Sequence, residues 1–395
     1  MGRRRTFGFG FLLATAMLLA SVPAHAGLGT TASGGVRDSA RTPNSVQWQV
    51  GPASPFGGAR FDGEYVASQR RVYFLGFRTF GDATDGSIWY FDLPSQSYVD
   101  TGVDMPIPIS NYGVAALTDA NGRGLYTFGG RTAVPEITQA VQVYYPATGQ
   151  TRIVNSDPWP GHTPSGCVST PAMGVVVVAN RAVVMGGMTF STYPGCVDDQ
   201  SAETWIFNPM AAPGTRWTRG PDLNVARGYI TPAVVGDKVY AIGGDRNELG
   251  TLMPLKAVEA WTFPSGIWSN APADLPQPCD ESQAFSFSTG PLGPGIVVAG
   301  CGQWPNALPD TLAYDAVGNT WSLAGSLGET RRNHAGALVS TAGQPRMLIL
   351  GGYNETTQFA DPTTTSELGR GAALVDDGVA WRSAPGTTGG LVPTS

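Results

Sequence analysis

The chain is expected to be all-β, built from six copies of one antiparallel four-stranded unit. Three observations carry this. A short apolar strand ending in a glycine step occurs six times, a second apolar strand precedes each copy across a tight turn, and strands rich in aromatic residues follow. The 53 glycines and 31 prolines among 395 residues suit many short strands and turns, and 42% hydrophobic residues can still build a large core. The charged fraction, 14%, is too small for a disordered polyelectrolyte.

The glycine-terminated strands are Val72-Tyr-Phe-Leu-Gly-Phe77, Gly124-Leu-Tyr-Thr-Phe-Gly-Gly130, Ala182-Val-Val-Met-Gly-Gly187, Val239-Tyr-Ala-Ile-Gly-Gly244, Ile296-Val-Val-Ala-Gly-Cys301 and Met347-Leu-Ile-Leu-Gly-Gly352. Their markers, Gly76, Gly129, Gly186, Gly243, Gly300 and Gly351, are separated by 51 to 57 residues. Short apolar runs bounded by turn residues read as buried strands. The preceding strand is typified by Gly228 to Val235, joined through Gly236-Asp237, a hairpin signal. After each marker come a polar loop and a strand such as Ile88-Trp-Tyr-Phe91, Val141-Gln-Val-Tyr144, Thr204-Trp-Ile-Phe207, Val258-Glu-Ala-Trp261 or Leu312-Ala-Tyr314. A fourth strand follows, marked by Trp217, Trp268, Trp321 or Trp381, with Tyr98 and Ile153 in the first two copies. A period near 50 with four strands per unit implies a radial ring, here a six-bladed β-propeller over residues 45–385.

These marks resemble the kelch family. The Gly-Gly doublet, the strand ending Tyr314-Asp315, the tryptophan beyond it and an arginine opening the innermost strand (Arg60, Arg227, Arg332) are its pattern. The resemblance runs over about Gln47 to Pro385 and implies fold far more than activity, because propellers host many unrelated functions. Gly76-Phe77 and Gly300-Cys301 depart from it by losing the second glycine. The glycines and tryptophans have structural roles to fill, at crowded strand ends and between blades.

Ring closure is left open by the sequence. Val46 to Val50, with Trp48, looks like an outermost strand, and so does Val379 to Ser383. Either could take the last outer place and hide an edge.

Residues 1–26 read as a signal peptide: Arg3, Arg4 and Arg5, an apolar run from Phe9 to Val22, then Ala24-His25-Ala26 as a cleavage site. Arg4-Arg5-Thr6-Phe7 also partly resembles a twin-arginine signal. Residues 27–44 read as a linker and 386–395 as a flexible tail. A secreted or periplasmic protein follows, cleaved near Ala26, with no membrane span. Its net charge, already −6, becomes more negative once those arginines are removed, which argues against nucleic acid or anionic lipid as partner. Four cysteines in an exported chain favour two disulfides. Cys279 precedes an innermost strand and Cys301 ends the strand beside it. Cys167 also precedes an innermost strand, and Cys196 lies in the loop after the second strand of the same blade. The expected pairs are Cys167–Cys196 and Cys279–Cys301, each within a blade.

Innermost-strand starts and second-strand ends should surround one mouth of the axial channel. The starts supply Arg60, Asp62, Asn111, Tyr112, Arg227, Tyr229, Asp280, Glu281, Arg332, Asn333 and His334; the ends supply Arg78, Arg131, Asp245, Arg246, Gln303, Trp304, Tyr353, Asn354 and Glu355. Arginines, acids and aromatic faces together suit a polyol. The structural alternative is that the arginines lock neighbouring blades by pairing with acids.

Known propeller chemistries fit poorly. Galactose oxidase holds copper with two histidines and two tyrosines, whereas only His162 and His334 lie beyond the leader. The sialidase box needs an aspartate where Thr84 stands. The exported sialic acid mutarotases are six-bladed kelch rings working without metal. The loop Asp245-Arg-Asn-Glu248 followed by Lys256 is comparable in place, but it lacks the Pro-Gly-Leu-Arg run expected there. No Gly-x-Ser-x-Gly elbow is present. The expectation is a monomeric binding or scaffold protein for a glycan or protein ligand, with no metal and no cofactor. The alternative is a metal-free isomerase-like enzyme on a sugar, with Asp280, Glu281 or His334 as acid/base groups.

Overall fold

The computed structural model describes residues 45–132, 136–289, 292–303, 305–341, 343–354 and 361–371. Six antiparallel sheets follow one another round an axis. Blade one runs outward through Gly63–Val66, Arg71–Arg78, Thr84–Asp92 and Ser97–Asp104. Blade two uses Val114–Asp119, Gly122–Phe128, Val141–Tyr145 and Gln150–Ile153. Blade three uses Val175–Val178, Arg181–Met185, Thr204–Phe207 and Trp217–Arg219. Blade four has Thr231–Val235, Lys238–Ile242 and Val258–Thr262, its fourth place held by a single bridge from Ala260 to Ser269. Blade five comprises Gln283–Phe287, Gly295–Ala299, Asn306–Asp315 and Thr320–Arg331. The only helix among the described residues is a 3₁₀ turn at Phe80–Asp82.

Blade six decides the closure. Ala335–Thr341, Gln344–Leu350 and Ser366–Gly371 are completed on the outside by the N-terminal strand Val46–Val50, with Trp48 opposite Gly369. Val379 to Ser383, Trp381 included, lies outside the described residues, as do residues 1–44 and 386–395. The first and last parts of the ring are thus held by one sheet, which removes two free edges at once.

Burial explains the sequence pattern. Second strands sit between two neighbouring blades, so Arg71–Arg78 is buried from Val72 onward, whereas the outer Ser97–Asp104 is half-exposed along its length. A strand covered on both faces must be apolar throughout; an outer one is not. The tryptophans fill the gaps between blades. Trp268 donates its indole N–H to Thr204 Oγ1 of blade three at 3.0 Å, and Trp48 donates to Thr311 Oγ1 of blade five at 2.9 Å. The closing strand therefore brings the same contact that the chain supplies elsewhere in sequence order.

The second glycine of each doublet is forced by space. Gly244 has φ +91°, and a Cβ there would stand 2.5 Å from the carbonyl oxygen of Gly228. Blades one and five, with Phe77 and Cys301 instead, adopt ordinary φ at that place. In blade five Cys301 is bonded to Cys279, and Cys167 is bonded to Cys196 in blade three, with Cα separations of 4.8 and 6.1 Å.

Candidate functional site

One residue ahead of each innermost strand is hydrogen-bonded through its backbone to the end of its own second strand. The pairs are Ala59 with Arg78, Ser110 with Arg131, Thr170 with Met188, Gly228 with Asp245, Asp280 with Gly302 and Arg332 with Tyr353. In five blades the next residue takes left-handed φ: Arg60 (57°), Asn111 (55°), Tyr229 (45°), Glu281 (49°) and Asn333 (55°). In blades six, one and two that turn aims the N–H at the neighbouring blade. Asn333 N donates to Glu281 O at 2.8 Å, Arg60 N to Asn333 O at 2.7 Å, and Asn111 N to Arg60 O at 2.7 Å. Blade three has Pro171 there, which has no N–H; the Thr170 hydroxyl donates to Asn111 O instead, at 2.6 Å. These links join blades five, six, one, two and three in a collar at the mouth expected to be functional.

The collar corrects the alignment of the arginines. Arg227, Arg332 and Arg60 occupy three successive positions rather than one: before the bridge residue, on it, and after it. The counterpart of Arg227 in blade six is Arg331. Arg227 is fully buried, donates to Ala241 O and meets Glu259 Oε1, both at 3.1 Å. Glu259 also accepts from Asn224 N and Val225 N. Arg331 repeats this with Gly351 O and Glu367, and Glu367 accepts from Gly328 N and Glu329 N. In blade five the equivalent position is Cys279, so a disulfide stands where blades four and six have an ion pair. Residue type could not reveal the offset, because the left-handed position carries Arg, Asn, Tyr, Glu and Asn in turn.

Several other rim residues are engaged in the scaffold. Tyr112 is buried; its hydroxyl donates to Gly76 O at 2.8 Å and accepts from Leu75 N, tying blade two to blade one. Arg332 meets Glu281 at 2.9 Å. His334 is fully buried, and burial with the nearby Arg331 charge holds its imidazole neutral, its pKa down at about 3. Asp280 is buried on its bridge to Gly302. Burial, then the Glu281 charge, raises Asp245 to about 8. Gln303 donates to Pro278 O, and Asn354 to Glu329. Arg246 is exposed and pairs with Glu248. Trp304 and Glu355 lie outside the described residues.

Two guanidiniums differ from these. Arg60 and Arg131 are 9% and 7% exposed, and neither has a carboxylate partner among the described residues. Arg60 lies 5.7 Å from the Tyr353 ring centre, and Arg131 lies 4.1 Å from that of Phe190. Burial and the Arg60 charge depress Arg131 to about 10, so it stays protonated at neutral pH. Across the axis Asn111 Nδ2 donates to Tyr229 Oη at 2.6 Å. Phe190 is the residue that sequence reasoning missed. It lies in a polar loop with no repeat signal.

Beyond the collar the axial channel opens into a cavity of about 300 Å³, lined by inner strands of all six blades. Asp62 belongs here. It accepts from Gly63 N, Val114 N and Gln283 Nε2, and burial raises it to about 6. Glu64, two residues on and therefore on the same strand face, is raised to about 8 by burial and then by Asp62. The Asp62-x-Glu64 alternation was the available signal for it. Valines, alanines, Met173 and Leu338 make up most of the remaining wall. Among the described residues no cluster of three or more His, Cys, Asp and Glu is placed to hold a metal ion.

Comparison with known proteins agrees with this architecture. The Kelch motif model matches residues 226–273, the blade-four unit that contains Arg227, Gly243-Gly244, Glu259 and Trp268. The chain is 27% identical to Kelch-like protein terF of Aspergillus terreus over 60% of its own length and 49% of that protein. It is 25% identical to alpha-scruin of Limulus polyphemus over 34% of its length and 14% of the relative. It thus spans about half or less of these curated relatives. The solved structure of YjhT superposes with a TM-score of 0.58 over 80% of this chain and 95% of that one, at 16% identity, a likeness of fold alone. The matched motif, glycine geometry and ring topology define the class: the chain is a six-bladed β-propeller with a kelch motif in blade four.

Proposed function

We propose that this propeller is an exported binding protein that takes a glycan at the axial mouth carrying Arg60 and Arg131. The observation behind this reading is the pair of guanidiniums, each about nine-tenths buried without a carboxylate partner. A buried charge without a counter-group is costly, and an oxygen-rich ligand would supply the missing acceptors. Phe190, partly exposed beside Arg131, offers an aromatic face of the kind that sugars stack upon. Loops on a rigid ring are the usual carriers of binding. Two disulfides are compatible with an oxidising compartment, and among the described residues no helix is long and apolar enough to cross a membrane. The acid/base reading is less favoured: Glu281 is held by Arg332, and His334 is packed within the ring.

The test is a glycan-array screen of the purified chain, followed by titration of any hit against Arg131→Gln. A hit that weakens at least ten-fold in a stably folded variant is expected. A screen empty of glycans, with protein partners captured at a different face, would overturn the reading.

A further inference from the structure

We propose that this mouth holds a tetrahedral dianion, the sulfate or phosphate ester of its ligand, seated among Arg60, Arg78 and Arg131. The inference rests on the mouth being the binding site and adds the chemical group recognised there. The three arginines come from adjacent structural positions: Arg78 and Arg131 end the second strands of blades one and two, and Arg60 lies between them on the collar. Each is within reach of the others' charge. All three retain donors that no described group accepts: Nε of Arg60, Nη2 of Arg78 and Nε of Arg131.

Charge counting selects a dianion over a carboxylate. Arg78 meets Asp82 at 3.3 Å and donates to Asp82 O and Thr84 Oγ1, which cancels one of three positive charges. Glu281 is committed to Arg332. Asp245, raised by burial, is largely protonated at neutral pH. Tyr229 and Tyr353 are neutral there, both pushed above their ordinary range. Counted against these groups, the three arginines keep a surplus of positive charge; Asp280 is held on its bridge to Gly302 in blade five. Guanidiniums within reach of one another's charge match the several acceptor oxygens of a sulfate or phosphate group, which can take paired donors from more than one arginine.

The experiment is calorimetric titration of the full chain at fixed ionic strength with inorganic sulfate, methyl phosphate and acetate. Sulfate is expected to bind at least ten-fold more tightly than acetate, with no change between pH 5 and 7.5. Methyl phosphate should tighten about ten-fold over that range, because its second pKa is about 6 and the dianion replaces the monoanion. Arg131→Gln should weaken both at least ten-fold, while Arg123→Gln, on an exposed residue at the far end of the channel, should stay within two-fold of wild type. Equal affinity for acetate and sulfate, or no binding of either dianion, would overturn the proposal. These comparisons use the wild-type chain, so they hold even if Arg131→Gln fails to fold. Neutral glycans binding at the mouth without sulfate binding would sink the dianion and leave the glycan reading standing. Loss of both would sink the two together.

Discussion

Arg227 and Arg131 look alike in the sequence and differ in what surrounds them. Arg227 is fully buried against Glu259, whose other acceptor sites take two backbone N–H groups. Removing the cation strands a buried carboxylate, which costs about 3–5 kcal/mol. Arg227→Ala is therefore expected to lower stability by that amount in urea unfolding, and adding Glu259→Gln should recover part of it, since contacting residues do not act additively. An Arg227→Ala variant as stable as wild type would show that the pair does not lock the blade. Arg227, expected on the rim, is thus built into the blade. Arg131, stacked on Phe190 without an acid, is the residue to test for binding.

At the scale of elements, the informative strand is Val46–Val50. It is hydrogen-bonded along its length to Ser366–Gly371, more than 300 residues later, and its Trp48 repeats the indole-to-threonine contact made by Trp268. Trp48 is half-buried, and its truncation removes both packing and that hydrogen bond. Trp48→Ala should cost about 2–4 kcal/mol, somewhat less than a fully buried tryptophan. Equilibrium unfolding in urea gives the number, and a loss below about 0.5 kcal/mol would mean that the closing strand contributes little. Blade five makes the same point with different chemistry: Cys279–Cys301 closes the blade at the position where Arg227 and Arg331 use glutamates.

At the scale of the whole molecule, the axial cavity couples all six inner strands to two carboxyl groups. Glu64 titrates near 8 in the folded ring and Asp62 near 6, both above the ordinary carboxylate range. The native state then holds more protons than the unfolded chain through that interval, so these groups favour folding at low pH. Their contribution is lost as pH rises, from about 4 to 6 for Asp62 and on to about 8 for Glu64. Glu64→Gln should therefore gain on wild type as pH increases from 5 to 8, with little difference at pH 4. Thermal unfolding of both proteins across that range checks it. A constant difference would show that Glu64 is fully hydrated in the channel. Groups with depressed pKa, such as Asp157 beside Arg216, act in the opposite sense at lower pH and are common to both proteins.

Local rules written six times were legible in the sequence. Glycine steps, doubly buried apolar strands and fourth-strand tryptophans depend on the immediate neighbours of each residue, so their pattern repeats and gives the blade count and strand order. The disulfides were legible for the same reason, since each lies within one blade. The identity of the closing strand was not, because Val46 to Val50 and Val379 to Ser383 carry equal local signals and only the geometry of the last sheet distinguishes them. Nor was the separation of structural from unpaired arginines. A two-residue shift along a loop moves a guanidinium from Glu259 or Glu367 to the collar position of Arg60. Whether a carboxylate waits there depends on a strand in the same blade or its neighbour, 30 or more residues away in the chain, and that is decided only when the ring closes.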